Sequence, residues 1–131
     1  PMYADSRSAI NTMDQANELC ESLGSHPNLG IACDLYHTWW DPSLESEITR
    51  AAVSGNLTAY HICDWITPTS DILNDRALMG EGCIDIARIS SALSNAGFTG
   101  YHEVEIFSQR WWAADQDDYL SAIIKSFKTI Q

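Results

Sequence analysis

Short apolar runs alternate along the chain with longer segments whose apolar residues recur at helical spacing. Three runs of six or seven residues, bounded by turn residues, fit buried parallel strands better than helices. They are Leu29–Asp34, Leu57–Cys63 and Tyr101–Phe107. Four helices are predicted at Ser6–Leu23, Pro42–Val53, Ile86–Ala96 and Asp115–Lys128, and a long polar loop at Thr67–Gly82. This α-β-α-β-α-β-α order predicts an α/β fold, a parallel sheet with right-handed crossovers.

Capping residues support three of the predicted helix starts. Asp5 or Ser6 precedes the first helix, Asp41 stands before Pro42 at the second, and Asp85 precedes the third. Side-chain oxygens at these positions can accept hydrogen bonds from free backbone N–H groups of the first turn. The capping pattern therefore agrees with the apolar periodicity.

The charge of the chain bears on its partners. The 131 residues include 18 acidic and 7 basic side chains, for a formal net charge of −11, and 45% are hydrophobic. This length and composition predict one domain, residues 1–131, with an ordinary core. Because phosphate groups are bound by basic surfaces, the acidity argues against nucleic acid and against an anionic membrane as partners. No apolar run approaches the length that spans a bilayer.

The cysteines bear on the cellular compartment. Cys20, Cys33, Cys63 and Cys83 form neither a C-x-x-C pair nor a zinc-like cluster. Scattered single cysteines in an acidic chain favour reduced thiols, which predicts a cytoplasmic protein.

A residue able to bind a metal stands near the end of each predicted strand. These residues are Asp34, His61 and Glu105. Because ligands of parallel α/β folds collect at the carboxyl ends of the strands, the three side chains are expected to converge. Two carboxylates and one imidazole suit Mn²⁺, Mg²⁺, Co²⁺ or Zn²⁺ better than a thiol-binding metal.

Strand alternation predicts which residues share a face with these three. Gly30 and Ala32 would lie beside Asp34, Leu57 and Ala59 beside His61, and Glu103 beside Glu105. The opposite face would carry branched apolar residues packed against helices. Small or polar residues on the inner face and apolar ones outside are typical of a barrel.

Each candidate ligand also has a structural interpretation. Asp34 can cap a helix, His61 can be a hydrogen-bonded strand residue, and Glu105 can pair with Arg110. Their joint occurrence at three consecutive strand ends is what favours a metal site.

Four further residues follow the strand ends and are candidates for substrate binding. His37 can hydrogen-bond a substrate hydroxyl or be a surface residue, and Asp64 can orient His61 or substrate or act as a cap. Arg76 can hold a hydroxyl, carboxylate or phosphate or form a surface salt bridge. Trp65 can stack on a sugar face or pack within a loop.

Five segments together resemble the C-terminal half of the xylose isomerase-like TIM barrels. They are Pro1-Met2-Tyr3-Ala4-Asp5, Asp34-x-x-His37, His61-Ile62-Cys63-Asp64-Trp65, Asn74-Asp75-Arg76-x-x-Met79-Gly80-x-Gly82-x-x-Asp85 and Val104-Glu105-Ile106-Phe107. The group includes sugar and sugar-phosphate isomerases and epimerases, inosose dehydratase-like and hydroxypyruvate isomerase-like enzymes, and the endonuclease IV fold. The resemblance implies a partial (β/α) barrel of about three parallel strands and four helices.

The resemblance also implies roles for the candidate residues. In this family an Asp, a His and two Glu side chains bind a divalent metal, and Asp34, His61 and Glu105 would be three of those four. The two Glu side chains transfer a proton beside the sugar carbonyl through an enediolate, so Glu105 would be catalytic. His37 and Arg76 match positions that contact substrate oxygens of a sugar or sugar phosphate.

One element of the family pattern is absent from this sequence. The strand that carries the other Glu would precede Pro1, as would the remaining strands of a barrel of about 250 residues. Residues 1–131 are therefore expected to be a fragment, inactive in isolation, and whether the chain itself is an enzyme stays open. Its uncovered sheet face and edges predict a homo-oligomer. The alternatives are a non-catalytic oligomerising module and, less favoured by the charge, a zinc nuclease resembling endonuclease IV.

Overall fold

A three-stranded parallel sheet organises the structure. The computed structural model describes residues 8–130. The sheet contains β1 (Ile31–Asp34), β2 (Leu57–Ile62) and β5 (His102–Val104), in the order β1-β2-β5. β1 pairs with β2 and β2 with β5, all parallel. This confirms the predicted α/β class and is the topology of part of a barrel.

Helices connect and cover the strands. Four long ones are α1 (Met13–Ser22), α3 (Leu44–Val53), α4 (Ile86–Asn95) and α6 (Gln116–Phe127). There are also two one-turn helices: α2 (Leu35–Thr38) directly follows β1, and α5 (Gln109–Trp112) is separated from β5 by residues 105–108. Residues 8–130 thus hold six helices rather than the expected four, because single turns are too short to show periodicity.

The first helix begins later than predicted. Thr12 is its N-cap, and a capping box joins Thr12 to Gln15. Residues 8–12 are not helical, and the predicted caps Asp5 and Ser6 lie outside the described residues. α3 also begins two residues late, because Asp41 accepts from the backbone N–H of Ser43 at 2.9 Å and forms a turn there. In contrast, Asp85 caps α4 as predicted.

The segment expected to be a long loop contains a strand. β4 (Arg76–Ala77) pairs antiparallel with β3 (Asp64–Trp65), which directly follows β2. The backbone N–H of Arg76 donates to the carbonyl of Phe107 at 3.0 Å. These pairings fix Arg76 near the carboxyl ends of the parallel strands.

The two faces of the sheet differ as alternation predicts, with one exception. Ile31 and Cys33 are buried in the core, whereas Gly30 and Ala32 are exposed. Leu57, expected on the inner face, instead joins the core at 8% exposure. The pairing register shifts between Ile31 and Ala32, so that Ile31 opposes Leu57 but Ala32 opposes Ala59. Such an extra residue reverses the side-chain direction, which explains the error.

Candidate functional site

Asp34, His61 and Glu105 converge at the carboxyl ends of the parallel strands. Asp34 lies opposite His61 in the β1–β2 pairing. The backbone N–H of Glu105 donates to the carbonyl of Ile62 at 3.1 Å, one residue beyond the end of β5. One ligand atom from each of the three side chains lies within 4.8 Å of the other two. The sheet register therefore brings the three residues together.

The donor set and spacing fit a divalent cation. The Nδ1 atom of His61 lies 3.7 Å from Oε2 of Glu105. Ligand atoms about 2.1 Å from a shared ion lie roughly 3.0–3.4 Å apart, so small side-chain rotations would close this spacing. Oδ1 of Asp34 accepts from the backbone N–H of Tyr36 at 2.8 Å, which leaves Oδ2 as the oxygen facing the cluster. Two carboxylates and an imidazole are suitable ligands for Mn²⁺, Mg²⁺, Co²⁺ or Zn²⁺.

Arg76 lies among the candidate ligands. Its Nη1 atom donates to Oδ2 of Asp34 at 3.1 Å and to Oε2 of Glu105 at 2.8 Å. The side chain is only 4% exposed. Burial acts to lower the pKa of Arg76, but the adjacent carboxylates outweigh it and the pKa is raised. The guanidinium is therefore a permanent cation, and it contacts the carboxylates rather than facing solvent.

Two aromatic rings that sequence reasoning missed enclose this guanidinium. Its central carbon lies 4.4 Å from the ring centre of Tyr36 and 4.6 Å from that of Phe107. Burial raises the pKa of Tyr36 to about 12, so its hydroxyl stays neutral, and it donates to the carbonyl of Ile72 at 3.1 Å. Tyr36 lies two residues after Asp34, and Phe107 lies two residues after Glu105. This spacing is the sequence feature from which the two rings could have been assigned to the site.

His37 joins the cluster from the short helix after β1. Its Nε2 atom lies 3.6 Å from Oδ2 of Asp34 and 3.4 Å from Nη2 of Arg76. The side chain is about one quarter exposed. The structure thus places His37 beside the candidate ligands.

Glu103 is a further acidic residue of this face. Its Oε2 atom lies 4.0 Å from Nε2 of His61, on the side of the imidazole away from Glu105. Strand alternation places Glu103 on the inner face, but nothing in the sequence singled it out as part of the site. A carboxylate near the ring nitrogen that does not bind the metal commonly orients a metal-binding histidine.

Asp64 takes the capping alternative of the two roles predicted for it. Its side chain is fully buried, and its two oxygens accept four backbone N–H groups at 2.8–3.0 Å. The donors are Trp65, Gly80, Gly82 and Ile84. Because both oxygens are occupied by the backbone, Asp64 holds the loop after β4 in place.

Trp65 packs beside the site instead of standing free in it. Its ring lies 4.7 Å from that of Tyr36 and 5.7 Å from that of Trp39, between ring centres. The half-buried Trp65 ring packs against Tyr36, whose own ring lies against the guanidinium of Arg76. Contact between Trp65 and a substrate stays a prediction.

A buried thiol lies close to Arg76. The sulfur of Cys63 is 4.0 Å from Nη1. Burial raises the pKa of Cys63 to about 12. The group of side chains whose ligand atoms converge consists of Asp34, His61 and Glu105, which are oxygen and nitrogen ligands.

Solved structures share the fold of this chain. Protein SMc04130 from Sinorhizobium meliloti 1021 is 44% identical, with a TM-score of 0.91, over 99% of this chain and 47% of that one. The IolI protein, solved with a bound zinc atom, is 24% identical with a TM-score of 0.81, over 95% of this chain and 45% of its own. The second likeness shows the fold alone.

Curated relatives are similar over most of this chain. The inosose isomerase of Halalkalibacterium halodurans is 27% identical over 111 residues, and that of Bacillus subtilis is 26% identical over 119. These alignments cover 83% and 89% of this chain but only 39% and 42% of the relatives. The chain thus spans about two fifths of their length.

A family model agrees with the fold and covers nearly the whole chain. It carries the description xylose isomerase-like TIM barrel and matches residues 1–130. This chain belongs to the xylose isomerase-like TIM barrel family.

Proposed function

We propose that this chain is the C-terminal part of a divalent-metal-dependent sugar or sugar-phosphate isomerase or epimerase. The observation that carries the proposal is the convergence of Asp34, His61 and Glu105 within 4.8 Å at neighbouring strand ends. The inosose isomerases among its relatives support an inosose or related sugar as substrate. Residues 1–131 would fold as a single domain that forms the C-terminal part of the complete barrel.

Asp34, His61 and Glu105 would hold the metal, which supplies polarisation of a substrate carbonyl and hydroxyl when bound. Mn²⁺, Mg²⁺, Co²⁺ and Zn²⁺ all suit this donor set, and the zinc in the IolI structure agrees with that range.

Glu105 is the proposed catalytic base. Its carboxylate would take the proton from the carbon next to the substrate carbonyl, and the bonding electrons would move onto oxygen to give an enediolate. A second acid returns a proton at the neighbouring carbon or on the opposite face, as isomerisation or epimerisation requires. His37, whose Nε2 atom lies 3.6 Å from Oδ2 of Asp34, would donate to a substrate oxygen. The second Glu would come from a strand outside this sequence, so this chain alone is expected to be inactive.

A homo-oligomer is proposed from the uncovered sheet. Ala32 is exposed and Ala59 half-buried on the inner face, and within residues 8–130 the strands β1 and β5 each pair on one side only. Since parallel sheets are normally covered on both faces, association would bury this surface. Light scattering should give a dimer or larger species; a monodisperse monomer would refute self-association.

The remaining proposals concern compartment and membranes. The four cysteines are free, which supports a cytoplasmic location. Among the described residues, no helix has the length and apolarity needed to cross a membrane.

One observation favours a second candidate, a non-catalytic oligomerising module. The guanidinium of Arg76 already balances the carboxylates of Asp34 and Glu105, so the cluster is electrostatically stable without a metal. Metal binding without isomerase activity in any assembly would favour this candidate.

Replacement of the residue aligned with Glu105 by Gln in a full-length inosose isomerase tests the proposed chemistry. Turnover should be abolished while metal binding is partly kept, because the amide can coordinate but cannot accept the proton. The matched control places Gln at the position aligned with Glu18, which is an exposed residue of α1 remote from the cluster. Preserved turnover in the first variant would refute the role of Glu105.

A further inference from the structure

Arg76 binds the same carboxylate oxygens that a metal would need. Oδ1 of Asp34 is occupied by the backbone N–H of Tyr36, and Nη1 of Arg76 contacts the other oxygen, Oδ2, at 3.1 Å. Nη1 also lies 2.8 Å from Oε2 of Glu105, the oxygen that faces Nδ1 of His61. The guanidinium is therefore directed at the centre of the donor set.

The position of this guanidinium is fixed by its surroundings. The rings of Tyr36 and Phe107 lie on it at 4.4 and 4.6 Å. The backbone of Arg76 is held by the β3–β4 pairing and by a hydrogen bond to Phe107. With 4% exposure, the side chain cannot leave the cluster without disrupting this packing.

We infer that Arg76 is a built-in counter-cation that competes with the divalent metal and sets a low metal affinity; this rests on the metal site proposed above. Without metal, Arg76 neutralises the two carboxylates and holds them together. With metal, a positive charge stays within a few ångströms of the ion, and their repulsion weakens binding. The bound metal ion would therefore exchange readily with ions in solution and would not be held as a permanent structural centre.

Measurement of Mn²⁺ affinity in charge variants of the full chain tests this inference. Arg76→Gln and Arg76→Met remove the charge, and we expect each to bind Mn²⁺ on the order of tenfold to a hundredfold more tightly at pH 7.5. Arg76→Lys keeps the charge and should stay within about threefold of the unmodified chain. Arg88→Met is the matched control. It removes an exposed arginine of α4, which pairs with Glu45 and Asp85. Circular dichroism verifies that each variant is folded.

The outcomes separate this inference from the proposed metal site. Tighter binding in the neutral variants, lost on adding His61→Ala, supports both. Binding by the unmodified chain that is equal or weaker in the neutral variants overturns the role of Arg76 alone. Binding only by the neutral variants supports the inference in its strongest form. Absence of binding in every folded variant overturns both.

Discussion

The backbone N–H of Gly82 donates to Oδ2 of Asp64 across 3.0 Å, and this contact anchors the loop that follows β4. Asp64 also pairs with Ala77, the neighbour of Arg76, in the β3–β4 ladder. The buried carboxylate therefore links the end of the parallel sheet to the segment that carries the arginine. Its influence on the site is exerted through backbone position.

Replacement of Asp64 by Asn should destabilise the chain strongly. The amide has one acceptor oxygen for four backbone donors, and its NH₂ group would face N–H groups. We expect a loss of on the order of 3 kcal/mol in the free energy of unfolding, measured by urea titration. Asp71→Asn, in an exposed loop, is the control and should cost much less. Equal effects of the two variants would show that Asp64 is not the anchor of the loop.

Gly82 should not tolerate even a methyl group. A Cβ atom there would collide with the carbonyl oxygen of Trp65 and the carboxylate of Asp64, neither of which can move without breaking the loop contacts. Gly82→Ala should therefore cost roughly 3 kcal/mol. Gly97→Ala is the comparison, because its φ of +90° strains alanine although no atom lies within 4 Å, at a cost of roughly 1 kcal/mol. A smaller loss at Gly82 than at Gly97, by thermal or urea unfolding, would contradict this.

The stability of the chain should fall in acid partly through His102. Its ring packs against those of Tyr60 and Phe127, and burial lowers its pKa below the ordinary value of 6.5. Above that value the side chain is neutral in both states and its contribution is complete. As the pH falls, the unfolded chain takes up the proton first, so this contribution is lost towards the folded pKa.

His102→Gln should consequently show a smaller loss of unfolding free energy between pH 7.5 and pH 5 than the unmodified chain. His26→Gln, at an exposed position, supplies the control and should keep the original pH dependence. An unchanged pH profile in His102→Gln would mean that His102 titrates alike in the folded and unfolded chain.

The main elements and the candidate ligands could be predicted because their signals are local. Short apolar runs bounded by turns identify the strands, and parallel pairing then brings Asp34, His61 and Glu105 to one edge. Asp85 caps α4 as predicted, whereas Asp115, predicted as the first residue of the last helix, is the N-cap of α6.

Other features depend on pairing and packing that periodicity does not encode. The register shift near Ile31 reversed the direction of Leu57, and a two-residue strand placed Arg76 between two rings. Asp64 resembled a site residue because it follows a strand end, but three of its four donors come from a loop 16–20 residues away. Such non-local hydrogen bonds decide whether a carboxylate is structural or available to a ligand.

Titration of the purified chain with Mn²⁺ by calorimetry, with and without His61→Ala, tests the central claim most directly. If Asp34, His61 and Glu105 form one site, the unmodified chain should bind one ion. His61→Ala should lose at least about a hundredfold in affinity, because losing a residue that merely orients a metal ligand already costs roughly tenfold to a hundredfold. His26→Ala, at an exposed histidine, should bind normally. Equal binding by the unmodified chain and His61→Ala, or no binding by the unmodified chain, His61→Ala and Arg76→Gln alike, would contradict a metal site at these strand ends.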